Sequence, residues 1–248
     1  MLTALLHGKG RRLAEHASTE ESLRTAYSRY EDLLTATVFE RLAYLDGGTL
    51  WAILRRTFDV PAWPDTEIAE LSQIQFWPMW REAFATLGKS VEPDVVLELA
   101  IGEARLPWTF IVECKLWGSQ DLTQLGDEWE AFTHEAAGEF DPSRTTLLAL
   151  GGLWSDRRLL PALDDVARAR FGRPISTGAA DWSQLMNAVA ATPRTGYEAR
   201  ILADIRQALE LHGHRTTQPL HALSQVAGKL RIDGDAVSLS QRIFHNAC

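Results

Sequence analysis

The middle of the sequence carries two apolar runs, Pro93-Asp94-Val95-Val96-Leu97-Glu98-Leu99 and Thr109-Phe110-Ile111-Val112-Glu113-Cys114-Lys115-Leu116. Large apolar and β-branched residues dominate both runs, and a short connection with glycine, arginine and proline separates them, which predicts two strands. Because side chains alternate faces along a strand, Glu113 and Lys115 point to one face and Cys114 to the other. If the strands pair, Asp94 joins Glu113 and Lys115 on one face of a sheet. Charged groups are costly to remove from water, so their place on these strands indicates a chemical role.

The spacing of these charged residues carries a family resemblance. Pro93-Asp94 is followed, after eighteen residues, by Glu113-Cys114-Lys115, and this pattern resembles the motif of the PD-(D/E)XK nuclease superfamily. The resemblance implies an α/β protein with a restriction-endonuclease-like core, which consists of a helix, three mostly antiparallel strands, a helix and a further strand. It places this core in residues 1–155 and leaves residues 156–248 as a mostly helical extension packed on it. The alternative is an ordinary half-buried hairpin with a surface Glu/Lys pair.

Hydrophobic periodicity and turn residues predict the other elements. Asp46-Gly47-Gly48 should end the first helix, because glycine suits a left-handed C-cap. Asp32 could instead divide that helix by capping a second one. The predicted helices span residues 18–45, 50–58, 121–137, 156–171, 181–190 and 196–212, and the predicted further strands span 74–77, 145–150 and 174–176.

Composition places the chain among ordinary globular proteins. It has 248 residues, 46% hydrophobic and 23% charged, with no apolar stretch near the ~20 residues that span a bilayer. Two cysteines make a disulfide framework improbable, and a reducing cytoplasm fits best. A net charge of −8 argues against a non-specific nucleic-acid coat but not against a nuclease whose basic residues cluster on one face. The basic groups available for such a face are Arg11/Arg12, Arg55/Arg56, Arg157/Arg158 and Arg168/Arg170/Arg173.

The family resemblance also implies roles for the motif residues. By position, Asp94 and Glu113 would hold Mg²⁺ or Mn²⁺, and Cys114 would add its main-chain carbonyl, which leaves its side chain free to be apolar. Oxygen ligands suit these hard cations. Lys115 would orient the attacking water and stabilise the charge that develops on phosphorus.

Two further groups belong to the predicted site. A glutamate from the first helix often completes it in the resembled family, and Glu31 is preferred here over Glu40. A glutamine often follows the motif strand in several branches of the superfamily. Gln124 would lie on the helix that begins near Asp121, whereas Gln120 would lie in the preceding loop and could contact phosphate.

These residues favour a metal-dependent DNA nuclease, with restriction or anti-phage defence as the context that the resemblance suggests. The alternative is a catalytically silent subunit of the same fold that binds nucleic acid or a partner protein. A third reading is a structural domain whose motif is coincidental. The expected partners are DNA and either further protein chains or a second copy of this chain, with no membrane. DNA against RNA preference, cutting mode and oligomeric state stay open.

Overall fold

The computed structural model describes residues 30–81, 87–136, 141–153 and 159–216. These residues form an α/β protein with a five-stranded mixed sheet and six helices. The strands are β1 (Ala69–Phe76), β2 (Val95–Ile101), β3 (Leu106–Lys115), β4 (Thr145–Gly151) and β5 (Ser176–Ala180). The helices are α1 (Glu31–Leu42), α2 (Gly47–Phe58), α3 (Leu122–Glu135), α4 (Leu159–Phe171), α5 (Trp182–Ala190) and α6 (Gly196–Leu211).

The strands lie in the sheet in chain order. The first three form an antiparallel meander, in which Val95 of β2 pairs with Val112 of β3. α3 then connects β3 to β4, which runs parallel to it and pairs Gly151 with Lys115. β5 adds a second parallel pairing at the edge. The two predicted motif strands are therefore direct neighbours, near the centre of the sheet.

Helices cover both faces of the sheet. On one face, alternate residues of the central strands join the larger core with α1, α2, α5 and α6, among them Leu97, Phe110 and Val112. On the opposite face, Val96 and Ile111 pack with residues of α3 and α4 in a second core. Burial on both sides explains why these strands are almost continuously apolar, since each face must exclude water. The charged residues of the motif interrupt the second face.

The structure corrects the predicted role of Asp46-Gly47-Gly48. α1 already ends at Leu42, and the two glycines are the first residues of α2. Asp46 is the N-cap of α2, because its side chain accepts a hydrogen bond from the Gly48 amide at 2.9 Å. A side chain at position 47 would place its Cβ 2.3 Å from the Ala69 carbonyl oxygen. Glycine is needed here for the close approach of the helix to β1, which no local pattern reveals.

Other boundaries also differ from the sequence pattern. α1 begins at Glu31 with Tyr30 as N-cap, so Asp32 lies in its first turn and does not cap a separate helix. The predicted beginning of that helix at residue 18 lies outside the described residues. β1 is longer than the predicted strand, and the strand predicted over 174–176 is observed as β5, five residues that start at Ser176.

The predicted division at residue 155 stays a prediction. The sheet itself continues past that point, because β5 pairs with β4. Over the described ranges, no helix is both long and apolar enough to cross a bilayer.

Candidate active site

Asp94 and Glu113 lie next to each other at the end of the β2–β3 ladder. Val95 pairs with Val112 in the antiparallel ladder. Asp94, one residue before Val95, therefore lies opposite Glu113, one residue after Val112. Both side chains are withdrawn from water, with Asp94 9% and Glu113 2% exposed. Two carboxyl groups are thus held side by side on the face covered by α3, as strand alternation predicts.

Two N–H groups hold the carboxylate of Asp94. The indole of Trp77 donates to Oδ1 at 3.0 Å, and the backbone amide of Cys114 donates to Oδ2 at 2.8 Å. Burial, followed by the charge of Glu113, raises the pKa of Asp94 to about 8 even though both donors favour the ionised form. A nearby cation would offset both causes, because it stabilises the charged carboxylate.

Lys115 joins the carboxylates of two different elements. Its ammonium donates to Oε1 of Glu113 and lies 3.7 Å from Oε1 of Glu31. The other oxygen of Glu31 accepts a hydrogen bond from the backbone amide of Leu116. The beginning of α1 is therefore tied to the end of β3. Glu40 lies near the other end of α1, so the structure brings the preferred glutamate of that helix to the cluster.

The charges of this cluster shift one another's pKa values. Burial lowers the pKa of Lys115, but the charges of Glu113, Glu31 and Asp94 outweigh burial and raise it above its ordinary value. Burial also raises the pKa of Glu31, against the opposing effects of the Leu116 amide and Lys115. Lys115 is consequently a permanent cation at neutral pH. It can donate hydrogen bonds and stabilise negative charge, but it does not serve as a base.

Gln124 connects Glu113 to a carboxyl group absent from the sequence-based site. Its Nε2 donates to Glu113 Oε1 at 2.7 Å and to Glu128 Oε1 at 3.0 Å. Glu128 is 0% exposed, and no hydrogen-bond donor faces its Oε2. Burial, and then Glu113, raises the pKa of Glu128 well above its ordinary value. The signal that could have identified Glu128 is its position four residues after Gln124, which places both on one helix face.

Side-chain hydrogen bonds from Trp182 and Gln120 also fix the ends of β3 and β4. The indole of Trp182 donates to the Lys115 carbonyl oxygen at 3.0 Å, and Gln120 donates from Nε2 to the Gly151 carbonyl oxygen at 3.1 Å. A Cβ at Gly152 would lie 2.9 Å from the Cβ of Lys115. Gln120 is itself buried, and its amide joins two strand ends. Absence of a side chain at position 152 leaves room for Lys115.

Cys114 has its side chain in the larger apolar core, opposite the carboxylates. Its backbone amide holds Asp94 in place. The carbonyl role implied by the family resemblance stays a prediction.

The donor chemistry of the site fits a hard divalent cation. Among the residues that the structure describes, no three Asp, Glu, His or Cys side chains are arranged to enclose a metal ion. Mg²⁺, however, commonly takes one or two carboxylates from a protein and completes its shell with water and substrate phosphate. Asp94 and Glu113 form such a pair, and two further carboxyl groups, Glu31 and Glu128, surround it with Lys115 as the cation bound to Glu113. This cluster therefore contains four carboxyl groups and one cationic side chain.

The predicted basic groups that the structure describes are engaged in contacts within the chain. Arg55 pairs with Asp65, and Arg56 donates to the hydroxyl of Thr192. Arg168 pairs with Asp164, and Arg170 pairs with Asp127 and Glu130. The pairs Arg11/Arg12 and Arg157/Arg158 lie outside the described residues.

Comparison with known proteins identifies a relative. The chain is 30% identical over 228 residues to the uncharacterized protein PM0110 of Pasteurella multocida (strain Pm70), an alignment that covers 87% of this chain and 81% of that protein. No family model matches the chain, and no solved structure matches it.

Proposed function

This chain belongs to the family of the Pasteurella multocida protein PM0110, and we propose that it is a Mg²⁺- or Mn²⁺-dependent nuclease that hydrolyses phosphodiester bonds of DNA. The observation that carries this proposal is the pairing of two buried carboxyl groups, Asp94 and Glu113, on adjacent strands, with the ammonium of Lys115 bound to Glu113. An ordinary hairpin would leave its Glu/Lys pair in solvent. A buried pair needs a compensating interaction, and a divalent cation would supply one.

The order of elements supports a restriction-endonuclease-like core as part of the proposal. Two helices precede an antiparallel meander of three strands, and α3 leads to the parallel strand β4. The resemblance implies the same order with a single helix before the meander, so α2 is an addition to it.

Phosphodiester hydrolysis requires an attacking water, neutralised charge at phosphorus and a stabilised leaving oxygen. A divalent ion held by Asp94 and Glu113 would supply Lewis-acid assistance for these steps. Lys115 orients the attacking water and stabilises the negative charge that develops on the phosphoryl oxygens. Gln124 holds the carboxylate of Glu113, and Glu31 holds the Lys115 ammonium in reach of the same place.

The test is a timed plasmid-nicking assay with Mg²⁺ on three proteins: the parent, Asp94→Ala and Glu98→Ala. Glu98 is a matched control, because it lies on β2 on the same side as Asp94 but pairs further along the ladder with Thr109. Calorimetric titration of Mn²⁺ into each protein measures metal binding, and circular dichroism confirms folding. We expect Asp94→Ala to lose metal binding and cleavage together, to the background of both assays. Glu98→Ala should retain both.

Two outcomes contradict the proposal. If Asp94→Ala cleaves at the rate of the parent, the motif is coincidental. If the parent binds Mn²⁺ and DNA but cleaves neither DNA nor RNA, the chain is a silent subunit of the same fold.

A further inference from the structure

Trp117 differs from every other tryptophan that the structure describes. It is 62% exposed, whereas the other seven in the described ranges are at most 9% exposed. These seven are Trp51, Trp63, Trp77, Trp80, Trp108, Trp129 and Trp182. Burial of a tryptophan contributes strongly to stability, and an indole ring left in water forgoes that contribution. Among the described tryptophans, Trp117 thus presents its ring to solvent.

The backbone of Trp117 lies close to the candidate active site. Trp117 is two residues after Lys115, so their Cα atoms are at most ~7 Å apart. The chain is held firmly just before it, because the Lys115 carbonyl is bound by Trp182 and the Leu116 amide is bound by Glu31. Leu116 itself is buried in the larger core. The backbone from which the indole of Trp117 projects is therefore anchored one and two residues earlier, at Leu116 and at the proposed catalytic lysine.

The cationic side chains around the site are already paired with carboxylates, which makes them poorly suited to binding the phosphates of a DNA duplex. Duplex affinity comes mainly from lysine and arginine side chains that neutralise phosphates. In the described part of the chain, Lys115 pairs with two glutamates, Lys89 pairs with Asp127, and Arg170 pairs with Asp127 and Glu130. The whole chain carries a net charge of −8. Stacking on an aromatic ring adds affinity that does not come from phosphate neutralisation, and it requires a base with a free face.

We propose that Trp117 is a stacking platform for an unpaired nucleobase next to the phosphate that is cleaved. The substrate is then single-stranded DNA, or the unpaired stretch of a partly melted duplex. This inference rests on the proposed nuclease function and specifies its substrate class. A base inside an intact duplex has both faces covered by its neighbours and cannot stack on the indole.

The experiment compares four full-length proteins: the parent, Trp117→Ala, Trp117→Phe and Tyr44→Ala. Tyr44 is a matched control, because it is 70% exposed but follows the C-terminal end of α1, whereas Glu31 at the other end of that helix reaches the site. Fluorescence anisotropy in EDTA measures binding of a labelled single-stranded oligonucleotide and of a hairpin duplex with equal phosphate number. Cleavage of both probes with Mg²⁺ and the molecular mass in solution are measured separately.

We expect Trp117→Ala to weaken single-strand binding about 5- to 150-fold, the range for loss of one base–aromatic stack. Trp117→Phe should recover most of this loss, and Tyr44→Ala should cause none. Duplex binding should change less than about twofold.

Unchanged single-strand binding by Trp117→Ala overturns the inference, and so does an equal loss for both probes. The inference is also overturned if the parent forms an oligomer in solution and Trp117→Ala forms a smaller one, because Trp117 would then be a contact between copies of the chain. The cleavage assay separates this inference from the proposed function. If all four proteins cleave alike, the nuclease proposal stands without the stacking platform. If single-strand binding depends on Trp117 and no protein cleaves, the platform stands and the nuclease proposal falls.

Discussion

The two faces of strand β3 have opposite chemistry. On one face, Phe110, Val112 and Cys114 are fully buried in the larger apolar core. On the other face, Ile111 is followed by Glu113 and Lys115, which form an ion pair beneath α3. Successive residues of a single strand thus alternate between apolar packing and buried charge.

This contrast separates the residues that stabilise the fold from those that form the site. A strand covered on both faces is normally apolar on both, because each buried charge must be desolvated. The charged face departs from this rule only near the end of β3, where Asp94, Glu31, Gln124 and Glu128 also gather. Substitutions on the apolar face should therefore act on stability, and substitutions on the charged face should act on metal binding and rate.

The largest expected effect on stability is on the apolar face. Phe110→Ala should lower the free energy of unfolding by about 3–5 kcal/mol, because it removes a fully buried ring and leaves a cavity. Urea denaturation followed by circular dichroism measures this change. Glu113→Gln, three residues along the same strand on the charged face, should change the free energy of unfolding far less. Equal losses for the two variants would show that the faces are not specialised in this way.

The next effect separates metal binding from turnover on the charged face. Lys115→Ala should lower the single-turnover cleavage rate about a hundredfold or more, or about 2.7 kcal/mol, because the proposed role of the ammonium is to stabilise charge that develops mainly in the transition state. Calorimetry should show that Mn²⁺ binding is kept. The control is Lys89→Ala, which removes an exposed lysine paired with Asp127. If Lys115→Ala cleaves as fast as Lys89→Ala, Lys115 has no role in turnover.

The sequence was sufficient to place the motif residues together. Alternation along two β-branched runs put Asp94, Glu113 and Lys115 on one face, and the observed pairing of Val95 with Val112 agrees. The position of Gln124 also followed from the helix predicted to begin near Asp121. In the structure Asp121 is the N-cap of that helix, because its side chain accepts hydrogen bonds from the Thr123 and Gln124 amides.

Contacts between distant segments could not be read from local patterns. Trp77 donates to Asp94 only because the chain turns at the end of β1, where Trp77 itself has a positive φ of 48°. The spacing of Glu128 from Gln124 places both on one face of α3, but the burial of Glu128 depends on packing of α3 against β3. The wrong prediction of a C-cap at Gly47 also reflects a contact between distant segments. Position 47 requires glycine because of the Ala69 carbonyl, which belongs to a different element.

The pH dependence of stability provides a further test of the charged face. The pKa of Asp94 is raised to about 8 in the folded chain, so the folded state binds more protons than the unfolded state between about pH 4 and pH 8. Without metal, its contribution to the free energy of unfolding should fall as pH rises through this window, by at most about 1.4 kcal/mol per pH unit. The raised pKa of Lys115 has no effect there, because lysine is charged in both states.

Urea denaturation in EDTA at several pH values measures this dependence for the parent and Asp94→Asn. The difference between the two proteins isolates Asp94 from Glu31 and Glu128, whose raised pKa values act in the same direction. The curve of Asp94→Asn should be flatter than that of the parent. Parallel curves would mean that Asp94 is ionised over the whole pH window in the folded chain and does not take up a proton on burial.

The smallest expected effect concerns the link between α1 and the charged face. Glu31→Gln keeps an oxygen that can accept from the Leu116 amide but loses the charge that faces Lys115. Groups that orient metal ligands from outside typically contribute 10- to 100-fold to affinity, and the partial exposure of the Glu31 side chain favours the lower end, about tenfold. Mn²⁺ titration calorimetry at fixed pH measures the change. Glu40→Gln, a matched charge removal near the other end of α1, should leave the affinity unchanged. If both variants weaken Mn²⁺ binding equally, the effect is one of net charge. Glu31 would then be a half-buried helix carboxylate, and the site would consist of the residues of β2, β3 and α3 alone.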